Sequence, residues 1–111
     1  MTRDELLAYC LGKPGAWQDE PWEGDLVAKV ADKIFAFTGD TTVGLKCGRD
    51  TDEAAEVRDR FPRNARTMPY IGRYGWNTLD LDGAIPAAEI RELVDASYDD
   101  IVARLPKSKR P

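Results

Sequence analysis

Five arginines lie close together in the middle of the chain and are the residues best suited to bind an anion. They are Arg58, Arg60, Arg63, Arg66 and Arg73, and Asp59 is the only acid between Val57 and Gly75. A guanidinium group stays charged at neutral pH and can hold a phosphate or a carboxylate through two hydrogen bonds. The segment therefore predicts a site for an anionic partner, with Arg66 and Arg73 contacting phosphates.

The charge of the whole chain limits this prediction. The formal net charge is −4 and the pI is about 4.8. A strong nucleic-acid binder gains most of its affinity by neutralising phosphates over a basic face. We therefore expect at most weak, sequence-independent binding to DNA, and the alternative that the arginines form only a solvated surface stays open.

The stretch from Met68 to Gly83 carries the other candidate binding residues. It joins two nearby glycines to an alternating strand that opens at Trp76, which predicts a solvent-facing hairpin. We expect Tyr70, Trp76 and Asn77 to shape the hairpin that presents the arginines. The tryptophan could stack on a base, or it could pack against the core.

The same stretch also contains Ile71-Gly72-Arg73-Tyr74-Gly75, which has the form of a KH loop. A KH loop clamps a single-stranded backbone, but it joins two helices. Strands are expected on both sides here, so the sequence favours a hairpin over a KH domain.

The residues that most enzymes need are missing. The chain has no histidine, which removes the commonest general base and the commonest metal ligand. It also has no glycine-rich phosphate loop, nucleophile elbow or metal-ligand spacing. The expectation is a protein without catalytic residues, metal or cofactor.

An acidic segment offers an alternative site for a hard cation. Asp19, Glu20, Glu23 and Asp25 lie within seven residues of one another. Their spacing matches no calcium-binding loop, so a solvated acidic loop is the favoured interpretation.

The cysteines and the apolar pattern indicate the cellular location of the protein. Cys10 falls in a predicted helix and Cys47 at a strand end, without the C-x-x-C spacing of redox sites, so both are expected to be reduced and buried. The polar start and the lack of a long apolar run predict a cytoplasmic protein without membrane contact.

The elements that position these residues form one domain over residues 1–111. A capping box at Thr2 predicts a first helix that ends at Gly12. Residues 16–25 carry four acids and two tryptophans around a proline, which is too irregular for a helix and too acidic for a buried strand. They are expected to form a packed loop whose tryptophans cover the sheet edge. Period-two alternation from Leu26 to Cys47 predicts three antiparallel strands.

The second half of the chain alternates helices with strands. Asp50 is suited to cap a helix that stops at Pro62, and strands are expected over residues 65–71 and 76–81. A long amphipathic helix follows Pro86, and its apolar stripe is formed by Ile90, Leu93, Val94, Tyr98, Ile101, Val102 and Leu105. A short basic tail after Pro106 is expected to fray. The order α-β-β-β-α-β-β-α predicts an α+β domain of two layers, with an antiparallel five-stranded sheet and the helices on one face.

Several phrases of the sequence, in order and correctly spaced, resemble the MmcQ/YjbR family. They occupy residues 9–16, 33–36, 45–47, 76–83, 97–98 and 105–107. The resemblance implies a CyaY-like or secretion-chaperone-like fold with two projecting hairpins that are proposed to act as a double wing on DNA. The sequence departs from the family pattern H-x-N-K-x-x-W, because Tyr70, Gly72 and Arg73 occupy the positions of its histidine, asparagine and lysine. Only the positive charge is kept.

Two functions follow as expectations. The first is a non-enzymatic, monomeric module that binds nucleic acid through Arg66, Tyr70, Arg73, Trp76 and Asn77. The second is an acidic protein-interaction or chaperone-like module that holds a segment of a partner protein on an exposed sheet or hairpin.

Overall fold

The computed structural model describes all 111 residues, and a six-stranded sheet is its central element. The helices are α1 (Arg3–Leu11), α2 (Thr51–Arg60) and α3 (Ala87–Ala103). The strands are β1 (Ala16–Trp22), β2 (Asp25–Val30), β3 (Lys33–Thr38), β4 (Thr42–Lys46), β5 (Ala65–Thr67) and β6 (Trp76–Asp80). Two short 3₁₀ turns cover Gly72–Tyr74 and Lys107–Lys109.

Every strand pair is antiparallel, and the order across the sheet is β1-β2-β3-β4-β6-β5. Helices α1, α2 and α3 pack on one face, where Asn77 and Leu79 of β6 are buried. This confirms the α+β class and the predicted alternation of β6. The sheet has one strand more than the five expected.

The extra strand is β1, in the segment predicted to be a loop. Its Ala16, Trp17, Gln18 and Asp19 pair with β2, and the register shifts before Trp22, next to Pro21. A charged edge strand is compatible with a sheet because one of its edges faces water, and proline is tolerated at such an irregularity. The acids that argued against a strand therefore mark its exposed edge.

Strand β5 is shorter than the predicted residues 65–71. It ends at Thr67, and the chain then turns through Pro69 and Tyr70, whose φ of +67° lies in the left-handed region. The Ile71 amide donates to the Pro69 carbonyl at 2.8 Å. This tight turn and the following 3₁₀ turn replace the second half of the expected strand.

Helix α3 is the main partner of the sheet, as its apolar stripe predicts. Ser97 fixes its position, because its hydroxyl donates to the Phe35 carbonyl at 2.6 Å and accepts from the Lys46 amide at 3.0 Å. Phe35 is the extra residue of a bulge between β2 and β3, and its ring meets Tyr98 edge to face at 5.2 Å between centroids. One serine thus joins α3 to two neighbouring strands.

The basic tail, for which the sequence predicts fraying, forms a short 3₁₀ turn beside the end of α3. The Arg110 guanidinium donates to the carbonyls of Leu105 and Ala103, at 3.0 and 2.9 Å. The last carbonyls of a helix have no partners within the helix, so a nearby arginine satisfies them. No helix of the fold has the length and apolar character needed to cross a lipid bilayer.

Both cysteines are buried and unpaired, as predicted. Burial raises the pKa of Cys10 to about 12 and that of Cys47 to about 11. The reactive thiolate is therefore scarce in the folded protein at neutral pH.

Thiol labelling at pH 8 should consequently be slow for the folded protein and fast after unfolding in denaturant. The raised pKa values also predict a pH effect on stability, since unfolded thiols ionise near pH 8.5. The stability that the two buried thiols contribute to the folded state is fully present below pH 8.5. It is lost as the pH rises toward 11 and 12, where the thiols of the folded protein ionise. Fast labelling of both thiols in the native protein would contradict the burial.

Candidate binding surfaces

The face of the sheet opposite the helices, here called the open face, carries a row of side chains that crosses all six strands. The register joins Asp19, Val27, Phe37, Gly44, Thr78 and Arg66, each paired with the next. The row is acidic at the β1 edge, apolar in the middle and basic at the β5 edge. Because side chains alternate along each strand, the apolar members point away from the helix-covered core.

A groove of about 480 Å³ lies along this row. Its apolar lining consists of Trp22, Leu26, Val27, Phe37, Met68 and Tyr70. Val27 is only 1% exposed although it lies outside the main core cluster. The open face is therefore a second apolar surface, and no helix covers it.

Gly44 gives the groove its depth at the centre of the sheet. A Cβ atom at this position would lie 2.8 Å from Met68 Sδ and 3.3 Å from Phe37 Cβ. The missing side chain lets Met68 reach inward from the end of β5. Phe37 is held on its other side by Trp76, whose ring meets it edge to face at 5.4 Å.

Two exposed aromatic residues line the groove from opposite edges of the sheet. Trp22 at the end of β1 is 59% exposed, and Tyr70 after β5 is 97% exposed. The left-handed φ of Tyr70 is unusual for a bulky residue and costs about 1–3 kcal/mol. A large apolar residue with a strained backbone and an exposed side chain is typical of a contact surface.

The charges near the groove are acidic. Asp25 is the only charged residue in its lining. Glu20 and Glu23 flank Trp22 in the sequence and are exposed. Arg66 at the opposite edge is already paired with Asp80 at 3.0 Å, and Lys29 with Asp19 at 2.7 Å. The uncompensated charge near the groove is therefore negative at the β1–β2 end.

A second concavity, here called the basic pocket, has a volume of about 230 Å³ and lies where β4 ends and α2 begins. Its lining residues are Lys46, Arg49, Asp50, Thr51, Arg73, Tyr74 and Arg104. The Lys46 ammonium is buried and donates to the carbonyls of Gly48 and Tyr74, at 2.7 and 2.9 Å. It also pairs with Asp100 at 3.3 Å.

Most of the predicted arginine cluster is engaged within the protein. Arg58 donates to the Asn77 side chain at 2.7 Å, Arg60 pairs with Glu89 at 2.5 Å and Arg66 with Asp80. Arg73 forms no ion pair, and its guanidinium lies 4.9 Å from the centre of the Tyr74 ring. The arginines therefore spread over several surfaces.

The five predicted site residues fall into different environments. Arg66 is directed toward Asp80 at the end of β6, whereas Arg73 lies before the strand begins, so β6 separates the two arginines. Trp76 is buried, and Asn77 is fully buried, where its amide donates to the Ala54 carbonyl at 2.9 Å. Only Tyr70 borders the groove.

A third polar cluster joins α1 to α3 and is structural. The Tyr9 hydroxyl donates to Asp95 at 2.7 Å, and Lys13 forms an ion pair with the same carboxylate. These bonds raise the pKa of Tyr9 and of Lys13. Burial opposes ionisation of Asp95, but the bonds from Lys13 and Tyr9 lower its pKa. All three groups satisfy one another, which leaves none for a ligand.

Comparison with known proteins agrees with the fold and with the resemblance in sequence. The YjbR protein of Escherichia coli K12 is 37% identical over 116 residues, which cover 99% of this chain and 95% of that protein. The same identity and coverage hold for YjbR of Escherichia coli O157:H7.

Two solved structures share the architecture. A Deinococcus radiodurans protein with a DUF419 domain has a TM-score of 0.86 at 26% identity, covering 97% of this chain and 84% of that one. A protein from Pseudomonas syringae has a TM-score of 0.71 at 22% identity, covering 87% and 96% respectively. The YjbR family model matches residues 11–100, so the chain belongs to the YjbR family.

Proposed function

We propose that this protein binds a segment of a partner protein in the groove on the open face, and that the segment is apolar and basic. One observation carries the proposal: an apolar floor that no helix covers is lined by two exposed aromatic residues, Trp22 and Tyr70. Exposed aromatics beside an apolar depression are typical of binding hot spots.

The acidic end of the groove indicates that the partner segment is basic. Asp25 lines the groove, and Glu20 and Glu23 are exposed beside Trp22. Lysine or arginine next to the apolar residues of a partner would be attracted to these carboxylates, whereas phosphates would be repelled. A second copy of this chain would bring the same acids together, so the proposal is of a monomer with a different partner.

The size of the face suits a helical segment. Six strands have five spacings of about 4.8 Å, which makes the face about 24 Å wide. A helix of about 16 residues has this length. Such a role requires no reaction or cofactor. A cytoplasmic location is part of the proposal, because reducing conditions there suit the two buried, unpaired thiols.

Peptide titration tests the proposal. A 16-residue amphipathic leucine–lysine helix should bind, whereas a leucine–glutamate helix of the same pattern should not. Replacing Trp22 with alanine should weaken binding by about 2 kcal/mol, or roughly 30-fold, as expected for a central aromatic contact. Tyr70→Gly should also weaken binding without loss of stability, because glycine tolerates the positive φ.

Tyr74→Ala is the matched control for these variants, because it removes a half-exposed aromatic that lines the basic pocket instead of the groove. It should leave peptide affinity unchanged. Equal binding of both peptides, or equal losses in all three variants, would defeat the proposal.

Nucleic-acid binding through Arg66 and Arg73 is the second candidate. It is favoured by one observation, the absence of any carboxylate partner for Arg73. Arg66 would have to give up Asp80 to reach a phosphate. Under this candidate, binding to duplex DNA is weak and independent of sequence.

Salt dependence tests this second candidate. Each phosphate contact adds about 0.9 to the slope of log affinity against log salt concentration. Arg73→Ala should reduce the slope by about one unit, while Arg66→Ala should have a smaller effect because of the Asp80 pair. A lack of DNA binding even at about 20 mM salt, where screening is weakest, would exclude the nucleic-acid role.

A further inference from the structure

We infer that the basic pocket is a binding site for a terminal phosphate group, separate from the groove. Its cations come from four parts of the chain: Lys46 from β4, Arg49 from the loop before α2, Arg73 from a 3₁₀ turn, and Arg104 from the end of α3. Like charges repel one another. Four cations around one concavity of this size are therefore well placed to receive an anion.

Asp100 holds two of the four cations in place. This carboxylate lies 3.3 Å from Lys46 Nζ and 2.9 Å from Arg104 Nε. The remaining hydrogens of the Lys46 ammonium are directed to two backbone carbonyls. Lys46 thus contributes charge and holds the pocket in shape, but it has no donor left for a ligand.

The donors available to a ligand are the guanidinium groups. Arg73 has no carboxylate partner, and its ring contact with Tyr74 leaves its edge free to donate. Arg49 is 80% exposed in its side chain and forms an exposed pair with Glu53 at 3.1 Å. Exposed i, i+4 pairs contribute little stability, so Arg49 can turn toward a ligand at small cost.

The acids around the pocket do not cancel its charge. Asp50 caps α2 by accepting from the amides of Asp52 and Glu53, both at 3.1 Å. Glu53 and Asp100 each hold an arginine. Four cations therefore face three carboxylates, and Arg73 is the one cation of the four without a carboxylate partner.

The charge and shape favour a terminal phosphate over the backbone of a duplex. A phosphate monoester carries about −1.5 to −2 charges at pH 7 and presents three acceptor oxygens, which match several arginines at once. An end group can enter a concave pocket, whereas a backbone phosphate is flanked by sugars on both sides.

Titration with inorganic phosphate at constant ionic strength, followed by ³¹P NMR and thermal unfolding, tests the assignment. Phosphate should raise the melting temperature of the wild-type protein, because a ligand that binds only the folded state stabilises it. Arg73→Gln should weaken phosphate binding about tenfold, the loss expected for a charge-assisted hydrogen bond. Arg73→Lys, which keeps the charge, should lie between the two.

Arg91→Gln is the matched control, since Arg91 is exposed on α3 about 20 Å along the helix from Arg104. It should leave the phosphate response unchanged. A response that is equal in Arg73→Gln and wild type would overturn the site.

The source of the phosphate is distinguished by comparing a nucleoside 5′-monophosphate with duplex DNA that lacks terminal phosphates. Binding of the monophosphate alone, lost in Arg73→Gln, would support the assignment. Binding of the duplex alone, with the same dependence on Arg73, would overturn it in favour of backbone recognition. Neither result depends on the groove, so the two sites are tested independently.

Discussion

Replacing Phe35 with alanine should lower the free energy of unfolding by about 3–5 kcal/mol, the range measured for large aromatics removed from cores. Phe35 is fully buried, and its ring contacts Tyr98 on α3. Its carbonyl also accepts the hydrogen bond from Ser97. A cavity here would lie between the sheet and the helix that covers it.

Urea unfolding followed by circular dichroism measures this loss. Tyr74→Ala is the control, because it removes an aromatic of similar size that is half exposed. It should cost much less. A Phe35→Ala protein whose free energy of unfolding lies within about 1 kcal/mol of the wild-type value would contradict the packing of α3 on the sheet through Phe35.

Replacing Lys46 with methionine should also be strongly destabilising, by about 3–5 kcal/mol. The change keeps the length of the side chain but removes the buried ammonium. The carbonyls of Gly48 and Tyr74 then lose their donor, and Asp100 loses one of its two cations. The end of β4 would lose its side-chain tie to the turn that precedes β6, and the backbone bond from the Cys47 amide to the Gly75 carbonyl would remain.

Lys33→Met tests whether the loss of charge alone matters, since Lys33 is exposed at the start of β3. It should have little effect. Adding Asp100→Asn to Lys46→Met should restore part of the stability, because it removes the carboxylate that has lost the Lys46 ammonium as its partner. Equal stability of the Lys46 and Lys33 variants would contradict the role of the buried ammonium.

Much of the fold could be predicted from local pattern. The Thr2 capping box, the Asp50 cap and the alternation of β6 are all present in the structure. These features depend on residues close together in the sequence. The β1 prediction failed because acidic residues and a proline were taken to exclude a strand, although an edge strand tolerates both.

The binding surfaces were harder to predict because they depend on long-range pairing. The partners of Arg58, Arg60 and Arg66 lie 19, 29 and 14 residues away. A count of nearby acids could not reveal that these arginines are engaged. One signal for the groove was available: Leu26, Val27, Ala28 and Val30 make β2 apolar on both faces, as in a strand that is covered on both sides.

Amide chemical-shift mapping with the leucine–lysine helix tests directly whether the groove binds the peptide, because it locates the peptide on the protein. We expect the largest shifts on the open face, at Val27, Phe37, Gly44, Met68 and Thr78, and no shifts in the basic pocket. Shifts concentrated at Arg49, Arg73 and Arg104, or none at saturating peptide, would contradict the groove as the site of partner binding.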